Sequence, residues 1–72
     1  MKIIGKITYQ SIETGFWGLI DNDGNQWEII DIPNQLKYPN KKVEIEAEEL
    51  DIVTTSMWGI PIKIISFSTL MP

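Results

Sequence analysis

Gly15-Phe16-Trp17-Gly18-Leu19-Ile20-Asp21-Asn22-Asp23-Gly24-Asn25-Gln26-Trp27-Glu28-Ile29-Ile30 holds two aromatic, β-branched runs on either side of a polar Asp/Asn/Gly cluster. Such a pattern reads as a β-hairpin. A three-residue loop Asn22-Asp23-Gly24, with Gly24 in the left-handed conformation, puts Trp17, Leu19, Trp27 and Ile29 on one face of the ribbon. Phe16, Gly18, Ile20, Gln26, Glu28 and Ile30 then occupy the other. Two tryptophans aimed at one core in so short a chain anchor a compact β domain.

Working outward, Ile3, Gly5, Ile7 and Tyr9 alternate with Ile4, Lys6, Thr8 and Gln10, which predicts a long first strand that bends or bulges at Gly5. Ser11 to Gly15 turn the chain into the hairpin. After it, the proline-bounded stretch from Asp31 to Asn40 has room for at most one helical turn, with Asn34 or Asp31 as its cap and Leu36 tucked under the sheet. Lys41-Lys42-Val43-Glu44-Ile45-Glu46-Ala47-Glu48 alternates in charge and hydrophobicity, so it reads as a half-buried strand with Val43, Ile45 and Ala47 inward. A helix is the rival, because Val43, Ala47 and Leu50 share a helical face, but it strands Ile45 in solvent. Asp51 to Met57 extends that strand or forms a loop. Trp58-Gly59-Ile60-Pro61 then turns into a last strand carrying Ile60, Ile62, Ile64 and Phe67.

Five short strands, an insertion after the third and a first strand long enough to serve two sheets predict an all-β fold over residues 1–72. The expected architecture is a small five-stranded OB-like Greek-key barrel with at most one short helical turn between strands 3 and 4. A chain of 72 residues buries only roughly 60% of its unfolded surface, so its core has to be dense. The 43% hydrophobic content, rich in isoleucine from Ile3 to Ile65, supplies that density.

Composition also narrows function. There is no cysteine and no histidine, which removes thiolate chemistry, the commonest metal ligand and the commonest general base. Six lysines, no arginine and ten acidic residues give a net charge of −4, which disfavours nucleic acid as a partner. No apolar run approaches the ~20 residues needed to span a bilayer, and Met1-Lys2-Ile3-Ile4-Gly5-Lys6 does not resemble a secretory signal. A cytoplasmic protein with no membrane partner is the expectation.

The candidate sites divide by their chemistry. Asp21-Asn22-Asp23-Gly24-Asn25 has oxygens for a hard cation, but a calcium loop needs glycine where Gln26 stands and glutamate where Ile32 stands, so it reads as a turn. Glu44, Glu46, Glu48, Glu49 and Asp51 read as a solvated strand face rather than an acid/base pair. Lys37, Lys41 and Lys42 form the one basic cluster and read as a solubilising turn. No catalytic residue, metal or cofactor is implied. Trp17 and Trp27 are assigned to the core. Phe16, Gln26 and Glu28 on the outer face of strands 2 and 3, with Met57 and Trp58 at the rim, make the candidate ligand-binding set.

The combination Gly15-Phe16-Trp17-Gly18-Leu19, Asp23-Gly24, Ile32-Pro33 and Met57-Trp58-Gly59-Ile60-Pro61-Ile62 resembles a family of small prokaryotic OB-like proteins over nearly the whole chain. The resemblance implies the fold and carries no activity. Lys6-Ile7 with Gly15 to Ile20 bears a weaker likeness to cold-shock domains, which implies base stacking. Here, however, Trp17 and Gly18 exchange the expected places, and the later phenylalanine-histidine element is missing. The reading that results is a non-enzymatic binding module for a protein or small ligand, monomeric or weakly self-associating. Its alternatives are a structural domain that self-associates through an apolar strand edge and the Ser66-Phe67-Ser68-Thr69-Leu70-Met71 tail or, further off, a binder of single-stranded nucleic acid.

Overall fold

The computed structural model describes residues 1–12, 14–54 and 58–69. Five strands form the fold: β1 (Lys2–Gln10), β2 (Phe16–Asp21), β3 (Gln26–Ile30), β4 (Lys42–Glu49) and β5 (Ile60–Thr69). They close into a barrel in the order β1-β2-β3-β5-β4, with β3 and β5 parallel and every other pair antiparallel. This is the expected OB-like barrel. Among the described residues no helix is long and apolar enough to cross a membrane.

Closure depends on β1. Its first half pairs with β4 and its second half with β2, and the two ladders overlap at Gly5 and Lys6, Gly5 facing Val43 on one side and Asp21 on the other. A Cβ at Gly5 would press against the Ile20 carbonyl, Asp21 Cα and Leu19 Cδ2. Only glycine lets the strand pass from one half of the barrel to the other at this distance.

The hairpin forms as its sequence dictates. Leu19 pairs with Trp27 and Gly18 with Glu28, and Gly24 takes φ 85° in the three-residue loop. Asp21 organises that loop. One carboxylate oxygen accepts from the amides of Asp23 and Asn25, both at 2.9 Å, and the other from Asn25 Nδ2 and Trp27 Nε1, both at 3.0 Å. The Asp/Asn cluster is therefore a turn tied to its own backbone and to a tryptophan.

These bonds favour the ionised form, with that from the Trp27 indole the strongest influence. They outweigh partial burial and hold the Asp21 carboxyl below its ordinary value of 3.8. A depressed native pKa contributes stability that is present above pH 3.8 and lost as pH falls through the native value. We expect Asp21→Asn to lower stability at neutral pH by about 1 kcal/mol, allowing for solvent screening, and to flatten the acid limb. Urea melts at pH 7 and pH 3 check this, and an unchanged acid limb in the variant contradicts it.

The core is aliphatic: Ile3, Ile7, Leu19, Ile29, Leu36, Val43, Ile45, Ala47 and Ile62 are buried. Trp17 and Trp27 are half-buried and pack against it rather than form it, so their assignment to the core needs refining. Trp17 meets Tyr9 edge-on at 5.0 Å towards the start of β2, while Trp27 reaches Asp21 at its end. Both rings border the aliphatic interior because branched side chains fill a small barrel without voids.

A single 3-10 turn, Asn34–Leu36, lies between β3 and β4 and buries Leu36 completely. Pro33 stands at the cap position and no side chain caps the turn, so neither Asn34 nor Asp31 plays the part expected of it. Asp31 instead takes a positive φ of 56° directly after β3. β4 is a strand, with Val43, Ile45 and Ala47 inward and Glu46, Glu48 and Glu49 in water. Glu44 is half-buried and meets Lys2 at 3.6 Å.

In β5 the pairing shifts between Glu46 and Ala47, whose partners are Ser66 and Ile64. The unopposed residue is Ile65, 63% exposed, and this bulge lets both Ile64 and Phe67 pack towards the core. Ile60, expected inward, is exposed at the start of the strand. Residues 51–54 are irregular rather than an extension of β4.

Candidate functional site

On the outer face of the barrel, strand register places Thr8, Gly18, Glu28 and Pro61 in one row across β1, β2, β3 and β5. Phe16 and Gln26 stand on the same face by the two-residue period of their strands. Gly18 leaves a gap in this row. The connection from β4 to β5 fills it.

Trp58 sits over Gly18 so closely that a Cβ there would lie 2.5 Å from Cζ3 and 2.9 Å from Cη2 of the indole. Its ring meets Phe16 at a centroid distance of 5.5 Å and a tilt of 59°. With the Gln26 amide oriented to satisfy both atoms, the side-chain oxygen accepts from Trp58 Nε1 at 3.1 Å and the nitrogen donates to the Trp58 carbonyl at 3.2 Å. Gly59 presses on the start of β3, where a Cβ would lie 2.6 Å from the Gln26 carbonyl oxygen.

Glu28 is only 6% exposed although it points away from the core. Thr54, from the same connection, donates its hydroxyl to Glu28 Oε1 at 3.1 Å. A carboxylate hidden this far from water needs such partners. Residues Thr54, Trp58 and Gly59 thus fasten the connection across β2 and β3, while Ile52 and Val53 before them are exposed, Val53 at 90%.

Of the five residues expected to bind ligand, Phe16, Gln26, Glu28 and Trp58 come together in one cluster. Met57 lies outside the described residues. Trp58 touches both Phe16 and Gln26, so the face carries an aromatic cover of its own. Sequence reading missed Gly18 and Thr54. A glycine inside a strand, directly after two aromatic residues, was the available signal, since it marks the close approach of another group.

The remaining candidate groups lie elsewhere. Lys41 Nζ is 5.0 Å from the centre of the Tyr38 ring, and Lys37 and Lys42 are exposed. The β4 glutamates lie on another part of the barrel wall, with β5 between them and β3. Compared with protein-family models, curated proteins and solved structures, the chain finds no match.

Trp58 is half-buried, so we expect Trp58→Ala to cost about 2 kcal/mol in a urea melt, less than the ~3–5 kcal/mol of a fully enclosed aromatic residue. In a Trp17→Phe, Trp27→Phe background, iodide should quench its emission in part. A loss of about 4 kcal/mol with no quenching would place the ring in the core.

Proposed function

We propose that the protein is a non-enzymatic binding module whose ligand or protein partner docks on the outer face of β2 and β3. The observation that carries this reading is the half-buried Phe16–Trp58 ring pair, with Trp58 seated over Gly18 and beside Gln26. Half-exposed aromatic rings beside hydrogen-bonding side chains supply area and orientation to an interface at low cost in side-chain entropy. Neither histidine nor cysteine is present to act as base or nucleophile. The net charge of −4 sets nucleic acid below an uncharged group as a partner.

Co-purification from the native cytoplasm with wild type and a folded Phe16→Ser variant tests the reading. A species held by wild type and lost by the variant supports it. Identical recoveries overturn it.

A second reading, self-association, draws on β5. Among the described residues, the segment from Ile64 to Thr69 pairs with β4 alone, and Ile65 is exposed within it. Such a stretch offers unpaired backbone to another strand. Sedimentation velocity over a wide concentration range decides it. A constant monomer coefficient removes this reading.

A further inference from the structure

We propose that the gap above Gly18 is a receptor for an indole ring, that Trp58 is its resident occupant, and that a tryptophan of a partner polypeptide enters when the Trp58 side chain rotates out. The inference rests on the proposed outer-face reading and names the chemistry of its ligand.

Four features define the receptor. Gly18 gives it a floor with no side chain, and the indole fills the space a Cβ would need. Phe16 forms a wall 5.5 Å from the ring centre. Gln26 offers an amide oxygen to the indole N–H at 3.1 Å, a contact that an aliphatic or phenyl ring cannot make. Glu28, next to Gly18 in the row, is engaged by Thr54, so the floor does not present an open carboxylate.

Charge favours the same occupant. The exposed lysines nearest the row, Lys6 and Lys63, each two residues along from Thr8 and Pro61 respectively, stand on β1 and β5 with β2 and β3 between them. An uncharged ring meets no electrostatic cost there, whereas a polyanion meets a chain of net charge −4.

Release is local. Gly59 is fitted against Gln26 and Ile60 pairs with Trp27, so the main chain on that side of Trp58 is pinned. Rotation of the side chain is the motion that opens the receptor. Because the receptor is self-occupied, its affinity for an outside ring is reduced by the fraction of molecules in which Trp58 has left.

N-acetyl-tryptophanamide is the probe, titrated by NMR into the full chain as wild type, Trp58→Ala and Trp58→Ala with Gln26→Leu. Trp58→Ala should bind it saturably, with a Kd of about 1 mM, at least about tenfold tighter than wild type. The added Gln26→Leu should weaken binding by about fivefold, as expected for loss of one hydrogen bond. Binding should not change with salt.

A folded Trp58→Ala that binds no more tightly than wild type overturns the proposal, and so does equal binding of N-acetyl-phenylalaninamide. Preference for adenosine or for oligo(dT) would assign the receptor to a nucleobase, free or in a strand, and likewise overturn it. Should Trp58→Ala not fold, wild type decides. The probe must then move the Trp58 Nε1–H resonance to the position of an exposed indole, and a fixed resonance is fatal. Loss of the whole outer-face reading shows separately, as recoveries unaffected by Phe16→Ser in the co-purification.

Discussion

Gly5→Ala should be the most damaging single substitution in the chain, lowering stability by about 3 kcal/mol or more. The added methyl group would meet the Ile20 carbonyl and Asp21 Cα, and these are backbone atoms of a paired strand that cannot turn aside as a flexible side chain can. Relief would require β1 to move away from β2, and the same residue is paired with Val43 of β4. Strain is therefore placed on both ladders at the point where the barrel closes. A domain of this size has roughly 5 kcal/mol in total, so the variant should melt at about two fifths of the wild-type urea midpoint or below. A midpoint within about 0.3 M of wild type, for an m-value near 1 kcal/mol/M, would show that β1 does not make both pairings.

Leu36→Ala should follow, at about 3–4 kcal/mol. Leu36 is fully buried in the core cluster although it belongs to a three-residue turn rather than to a strand. The turn itself is held by short-range backbone bonds, from Leu36 N to Pro33 O at 2.9 Å and from Lys37 N to Asn34 O at 3.2 Å. Truncation thus empties a space between strands that cannot collapse inward without breaking the barrel. Leu36→Met, which keeps the volume, should cost under about 1.5 kcal/mol. A similar loss for both variants would point to the turn's backbone as the source of the effect.

Much of this architecture was legible because it is local or periodic. The hairpin register followed from the polar cluster and from Gly24, whose positive φ fixes the loop length. Val43, Ile45 and Ala47 showed β4 by alternation, against the helix propensity of its last residues. Leu36 stood out as the apolar residue inside the expected turn of a largely polar connection.

Other features were not legible because they depend on contacts between distant parts of the chain. The burial of Glu28 cannot be read from its strand, where it looks like an outward polar residue. It is buried because Thr54, 26 residues away, reaches it from the β4–β5 connection. Trp58 looked like a rim residue beside a glycine. Its actual position is set by Gly18, 40 residues earlier in the numbering, and neither residue alone implies the other. The bulge at Ile65 left its trace in the three-residue step from Ile64 to Phe67, although alternation alone did not say which residue would be left unopposed. Ile60 kept the period of β5 but stands at the strand's first position, where enclosure has not yet begun.

The claim on which the functional account turns is that Trp58 is seated over Gly18 and held by Gln26 on the outer face of β2 and β3. Two-dimensional NMR of the intact wild-type chain tests it most directly. The account predicts NOEs from Gly18 Hα to the Trp58 ring protons at Cζ3 and Cη2, ring-current displacement of the Gly18 Hα shifts, and a Trp58 Nε1–H that exchanges slowly and becomes fast in Gln26→Leu. Gly18 Hα at unperturbed shifts, with no NOE to Trp58 and a rapidly exchanging indole proton in wild type, would contradict it.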